Sequence, residues 1–277
     1  MLNLYESTAQ GPRDARAEVG DDDDHAHIRG LGTAALASAV GYAASLGKTP
    51  IVVRDCPGFL VNRILTAYLL GCFRAMRDGA DFRVVDQVME SFGWPMGPAY
   101  LQDVIGLDTL VRVIEVISAG YPRRMAFDFT IAPQVLVENH RLGQKSGAGY
   151  YRYERDPKGK PTKLPDTEAC SLLVSLQAPG ARLLEEQEII DRLMLPMVIE
   201  ASLCLEEGIA ESVEEIDLAL VLGLGFPRHA GGPLQYADWL GVRRIVERCD
   251  AYRSFGPLYA VTERMRTLSE KGAHYFG

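Results

Sequence analysis

Asn62 and Arg63 interrupt an apolar run, with Phe59, Leu60 and Val61 before them and Ile64 and Leu65 behind. A Cys56-Pro57-Gly58 turn precedes the run. An asparagine at the start of a helix can cap it or bond nearby backbone. An arginine there is either exposed or ion-paired, because a lone buried charge is costly.

Other groups with chemical capacity are scattered. Asp21–Asp24, His25 and His27 carry metal-ligand atoms. A metal site also needs neighbours that fix its ligands, and nothing around them suggests such rigidity. A like-charge run of this kind stays solvated. Ser38, Ser45 and Ser146 lack a histidine and an acid in any known nucleophile context. His140 lies on a polar stretch and reads as surface, His229 as a loop residue and His274 as part of the C-terminal tail. Cys56, Cys72, Cys170, Cys204 and Cys249 stand singly, with no CxxC, and read as free thiols of a reducing, cytoplasmic setting.

The chain that must position these groups has 277 residues, is 47% hydrophobic and 24% charged, and so reads as globular. Its net charge of −8, with no basic stripe, argues against a nucleic-acid partner. No run approaches the roughly 20 apolar residues of a membrane span, and the N-terminus lacks the pattern of a signal peptide.

Residues 1–30 are polar and without helical or strand period, so a disordered segment is expected there. From Thr33, Leu36, Val40 and Ala44 recur at helical spacing up to Gly47, and "KTPIVV" reads as one strand. One helix and one strand make no sheet, so residues 31–54 look like the remnant of an α/β unit. Ile51, Val52 and Val53 would then present an unpaired edge.

The helical signal starts at Pro57. Leu60, Ile64 and Tyr68 form a stripe that ends near Gly79. A second amphipathic helix starts near Asp81, Pro98 fits a first helical position, and Asp108 can cap a helix that stops at Gly120. The glycine-rich stretch at 143–166 reads as a turn, a short aromatic strand and a linker.

The helical programme then repeats. Arg63 pairs with Arg192, Gly79 with Gly208, Asp86 with Asp217, and Gly93-Trp94-Pro95 with Gly225-Phe226-Pro227. Gly97-Pro98 pairs with Gly232-Pro233, Asp103 with Asp238 and Gly106 with Gly241. Matching order over this length indicates a duplicated helical unit, able to pack about a pseudo-twofold axis. Leu193, Met194 and Met197 are core at helical spacing. The buried arginines are expected to pair with Asp103 and Asp238, or with Asp86 and Asp217.

"GKTPIVVRDCPGFLVNRIL", "RDGADFRVVDQVMESFGWPMGPAYLQDVIGLDT", "GQKSGAGYYRY" and "GLGFPRHAGGPLQYAD" resemble the C-terminal part of 3-hydroxyacyl-CoA dehydrogenases. Within them they look most like the α-subunits of bacterial multifunctional fatty-acid-oxidation complexes. The resemblance covers roughly residues 28–277. It implies a mainly α fold, a duplicated helical domain like the C-terminal part of 6-phosphogluconate dehydrogenase, behind a Rossmann-type α/β domain. It also implies NAD-dependent oxidation of a 3-hydroxyacyl-CoA in β-oxidation, and assembly with a thiolase. Asn62, in "GFLVNR", is by this resemblance the residue that contacts the acyl-CoA carbonyl or hydroxyl.

The departures are as informative. No G-x-G-x-x-G follows a strand, and "GLGFPRHAGG" sits between helices rather than after a parallel strand. The family's histidine base lies in a "HFFNP"-like segment with no counterpart here. Aligning on Ile28-Arg29-Gly30 puts the family's glutamate at Ala26, and neither His25 nor His27 is at the base's position. The expected organisation is residues 1–30 disordered, 31–54 remnant of the NAD domain, 55–150 first helical repeat, 151–184 linker and 185–277 second repeat. A chain of this kind is expected to bind no NAD by itself and to be inactive alone. The alternatives are a docking module for a separate NAD-binding or thiolase subunit, and a truncated or frameshifted product.

Overall fold

The computed structural model describes residues 2–6 and 33–277. Helix α1 (Thr33–Ser45) stops at Leu46-Gly47, where Gly47 takes a φ of 68° that a side chain would resist. Strand β2 (Pro50–Arg54) follows, as the sequence predicts. It has a partner that the sequence reading does not foresee. Leu2–Glu6 forms β1 and runs parallel to β2, in register from Leu2 opposite Pro50 to Glu6 opposite Arg54. The polar character of residues 1–30 as a whole hides a short Leu-Asn-Leu-Tyr alternation at its start. The disorder expected for residues 1–30 is thus corrected for Leu2–Glu6; the remainder, with the Asp21–Asp24, His25 and His27 cluster, lies outside the described residues. Nor is β2 an open edge. Ile51 and Val53 are buried, and on the far side Arg54 N–H donates to the Ile209 carbonyl at 2.9 Å.

The rest is a helical body. The first repeat contains α2 (Val61–Arg77), α3 (Phe82–Phe92), α4 (Pro98–Ile105) and α5 (Leu107–Gly120). After α6 (Ala132–Glu138), strands β3 (Arg152–Arg155) and β4 (Pro161–Leu164) form an antiparallel hairpin, and α7 (Thr167–Val174) follows. The second repeat contains α8 (Glu186–Glu206), α9 (Val213–Leu224), α10 (Pro233–Leu240) and α11 (Val242–Ala251), then α12 (Glu263–Lys271). Helices α2 and α8 are buried on nearly every face and run antiparallel through the centre. They approach closely at Gly71, where a Cβ would lie 2.2 Å from the Arg192 carbonyl oxygen.

Paired glycines and aromatics mark the pseudo-twofold axis. Trp94 and Phe226, equivalent by sequence, meet edge to face with centroids 5.3 Å apart. Gly93 faces Pro227, and Gly225 faces Pro95, so each repeat offers the same turn to the other. Such reciprocity is the signature of an isologous contact, here built within one chain.

The ends of α3 follow local rules, and the start of α5 departs from the expected one. Asp81 caps α3 through the Arg83 N–H at 2.8 Å, and Gly93 ends it at φ 119°. Asp108 does not cap α5. That helix starts one residue earlier, behind Gly106, and Asp108 in its first turn pairs with Lys145 at 2.5 Å.

Candidate functional site

The turn before α2 is held on several sides. Gly58 and Phe59 adopt φ of 79° and 49°, and the Cys56 thiol donates to the Phe59 carbonyl at 3.3 Å. The Gly58 carbonyl accepts the Arg63 N–H at 3.1 Å. The Tyr121 hydroxyl, just past α5, donates to the Pro57 carbonyl at 3.2 Å. Two positive-φ residues in succession keep the chain out of the helix until Val61. Only Gly58 does so without steric cost.

Asn62 then stands in the first turn of α2, exposed, while its neighbour Arg63 is wholly buried. The Asn62 side chain does not cap the helix, because the N-cap is Leu60 and carries no side-chain bond. Its backbone carbonyl accepts the Thr66 hydroxyl at 2.8 Å, but its amide group has no hydrogen bond among the described residues. In the second repeat the same position is Asp191, which is buried and bonded within the protein. Arg248 lies 2.6 Å from its carboxylate and Gln187 donates at 2.9 Å. The duplicated position is therefore tied into the protein in one copy and open in the other.

Arg63 does not pair with Asp103 or Asp86 as the sequence reading expects. Its Nε contacts Glu200 at 2.5 Å and its Nη1 contacts Glu207 at 2.8 Å, both on the second repeat. Arg124 adds Nε to Glu200 Oε2 at 2.9 Å and Nη2 to Glu200 Oε1 at 2.9 Å. Both guanidiniums stack on the Tyr121 ring, Arg63 at 4.4 Å and Arg124 at 4.3 Å from its centroid. Glu200 has 2% of its side chain exposed, so its charge depends on these two arginines. Arg192 repeats the scheme. It pairs with Asp78 and with Glu188 at 3.0 Å, and stacks at 4.0 Å on the Phe255 ring.

The aspartates expected to face those arginines instead cap helices at a distance. Asp86 accepts the N–H groups of Ala99 at 2.7 Å and Tyr100 at 3.1 Å, at the start of α4. Asp217 accepts those of Leu234 at 2.9 Å and Gln235 at 2.8 Å, at the start of α10. A carboxylate there meets both unpaired donors and the positive end of the helix dipole. The glycine before each proline makes room. A Cβ on Gly97 or Gly232 would lie 2.3 or 2.2 Å from the carboxylate carbon. Burial pushes the Asp86 carboxyl up to about 7 and that of Asp217 up to about 7, against the pull of their hydrogen bonds.

Asp103 and Asp238 also share one role. Asp103 accepts the N–H groups of Tyr150 at 2.9 Å and Tyr151 at 3.0 Å, and the Tyr153 hydroxyl at 2.8 Å. Asp238 accepts those of Tyr275 at 2.8 Å and Phe276 at 2.9 Å. The duplication thus extends to Gly147-Ala148-Gly149-Tyr150-Tyr151 and Gly272-Ala273-His274-Tyr275-Phe276. The sequence reading misses this, although the shared Gly-Ala and paired aromatics carry the signal. His274 is therefore more than a tail residue, with Nδ1 3.7 Å from Asp238.

The remaining candidates hold no catalytic geometry. The hydroxyls of Ser38, Ser45 and Ser146 donate to nearby backbone carbonyls. His140 is exposed at a φ of 59°, and the His229 ring packs edge-on to Phe92 at 5.7 Å. No cluster of His, Cys, Asp or Glu among the described residues could hold a metal, and none of the described helices is long and apolar enough to cross a membrane.

A family model for the 3-hydroxyacyl-CoA dehydrogenase C-terminal domain matches the chain over residues 58–153 and again over residues 189–274. The chain belongs to this family. Its matched segments hold the two helical repeats; Asn62, Arg63 and Arg124 fall in the first and Glu200 and Glu207 in the second. Among solved structures, the fold is similar to 3-hydroxybutyryl-CoA dehydrogenase from Escherichia coli, at 22% identity and a TM-score of 0.69. That likeness covers 87% of this chain and 66% of the other. It is also similar to the dehydrogenase part of multifunctional enzyme 1 from C. elegans, at 25% identity and a TM-score of 0.60. There it covers 84% of this chain and 53% of the other. The chain thus spans less than two thirds of one matched structure and about half of the other.

Proposed function

We propose that this chain supplies the acyl-CoA-facing helical half of an NAD-dependent 3-hydroxyacyl-CoA dehydrogenase of fatty-acid β-oxidation, with Asn62 as its polar contact to the substrate. The observation that carries this is the asymmetry between Asn62 and Asp191. A buried, bonded aspartate serves the fold in the second repeat, whereas the open amide of Asn62 has both a donor and an acceptor to offer. A thioester carbonyl or a 3-hydroxyl suits that pair of atoms. The Arg63–Glu200–Arg124 cluster fixes the turn on which Asn62 sits, so the amide is pre-positioned.

Among the described turns, the one from β2 into α2 offers no seat for a nicotinamide dinucleotide. Pyrophosphate binding needs a strand, a glycine-rich turn and an open helix N-terminus. Here β2 leads through Asp55–Leu60 into α2, whose entry buries Leu60 and Val61 beneath the turn. In this reading residues 31–54 are a remnant of the dinucleotide domain, and catalysis needs an NAD-binding partner chain or segment. A thiolase is a further candidate partner.

The test is turnover. The purified chain is incubated with acetoacetyl-CoA and NADH, and absorbance is followed at the nicotinamide band. No turnover is expected from the chain alone. Turnover is expected after addition of a separately produced dinucleotide domain from a family enzyme, and to fall with Asn62→Ala. Clear turnover by the chain alone refutes the reading of an incomplete site. Unchanged turnover with Asn62→Ala in the reconstituted enzyme refutes the role of Asn62.

A further inference from the structure

A cavity of about 210 Å³ is lined by residues that include Arg124 and Glu200 but not Asn62. Its walls come from three elements: α8, the segment after α5, and the segment Pro257–Thr262 that leads into α12. Ile199, Leu203, Leu258 and Val261 make it apolar along its length. Arg123, Arg124 and Glu200 add charged groups to its lining.

The net charge of that lining is cationic. Glu200 is already bound by Arg63 and Arg124. Glu207 takes a further contact from each of the same two arginines. Arg123 is exposed and has no ion pair among the described residues. Among the lining residues Arg123 and Arg124 exceed Glu200 by one positive charge, in a chain whose net charge is −8. Thr262, the N-cap of α12, also lines the cavity and accepts the Met265 N–H at 3.1 Å.

We infer that this cavity binds a small amphipathic anion: a carboxylate seated at Arg123, with a short aliphatic tail along Ile199, Leu203, Leu258 and Val261. The free guanidinium offers the planar, two-pronged donor set that a carboxylate matches. The apolar walls offer the tail about 25 cal/mol for each Å² removed from water. The volume is below the roughly 300–1,000 Å³ of sites for drug-sized ligands, so the tail must be short.

The probes are octanoate, 1-octanol and inorganic phosphate, titrated into the full chain at fixed ionic strength and followed by calorimetry and by the methyl resonances of Leu258 and Val261. Octanoate is expected to saturate at about 1 mM or below, shifting those methyls. Octanol and phosphate are each expected to bind at least about tenfold more weakly, and Arg123→Ala to weaken octanoate by about tenfold. Arg123 is exposed, so that variant should fold normally. Val261→Trp, which fills the cavity, is expected to abolish binding. The inference is overturned if octanoate does not saturate, if octanol or phosphate binds as tightly, or if Arg123→Ala binds octanoate unchanged.

Discussion

Arg63 reaches across the duplication to Glu207, Nη1 to Oε2 at 2.8 Å, and Arg192 reaches back to Asp78 in the same way. The acids are equivalent, since Asp78 and Glu207 each precede the glycine that follows a central helix. The interface between repeats therefore carries two copies of one ion pair, at opposite ends of α2 and α8. The copies differ in depth. Glu207 is 39% and Asp78 35% exposed, but Arg63 also holds Glu200, which is almost wholly buried. Arg63→Ala is therefore expected to destabilise the chain by about 3–5 kcal/mol, the range for breaking a buried pair. Arg192→Ala, whose acids are better solvated, should cost less. Urea unfolding of both variants measures the difference, and equal losses would contradict the special role of Glu200.

At Gly71 α2 passes close to α8, and its would-be Cβ meets backbone rather than a flexible side chain. Gly71→Ala must push the two central helices apart. Overpacking of this kind costs about 1–3 kcal/mol. That outweighs the ~1 kcal/mol that alanine gains over glycine in a helix interior. The variant should unfold at lower urea than the parent. A midpoint at or above the parent's would mean that the helices yield at this position without cost.

Much of this architecture was legible in the sequence because the duplication repeats its punctuation. Gly79 and Gly208, Asp86 and Asp217, and the Trp94 and Phe226 turns all identify equivalent positions correctly. What the pairing could not supply was the partner of each charge. Arg63 and Glu200 lie 137 positions apart, and their contact depends on how α2 crosses α8, which no local pattern encodes. Asp86 looks like an arginine partner in sequence. Only the fold shows that Gly97 has cleared space for its carboxylate to cap α4. Strand β1 was hidden for a different reason. A five-residue strand takes its identity from its neighbour, and β2 lies over forty residues away. Asn62 was legible as a candidate by resemblance alone, and its exposure and unbonded amide come from the fold.

The buried aspartates predict a pH dependence with a definite sign. Burial raises the carboxyls of Asp86 and Asp217 to about 7 each in the folded chain, against about 3.9 when unfolded. The folded state then binds more protons than the unfolded one between those values. Stability from these two groups is greatest below about pH 4, declines as pH rises through about 7, and is level above that. Urea midpoints measured at about pH 4.5 and about pH 8 should show the decline. Replacing both residues, Asp86→Asn with Asp217→Asn, should flatten it. A slope unchanged in the double variant would mean that other groups set the titration.

Asn62→Ala separates fold from site most cleanly. Asn62 is exposed, caps nothing and donates to nothing among the described residues. Alanine is also the better helix former, by about 0.5 kcal/mol. The variant should therefore unfold at the same urea concentration as the parent or slightly above it. Acetoacetyl-CoA binding by the reconstituted enzyme should fall, by about fivefold to tenfold for one lost hydrogen bond to a carbonyl. Asp191→Ala is the matched control at the duplicated position. It strips a buried acid from Arg248 and Gln187, so it should lower the urea midpoint substantially and leave acyl-CoA affinity of the folded fraction unchanged. If Asn62→Ala instead destabilises the chain and spares binding, the open amide is a scaffold residue and the substrate contact lies elsewhere.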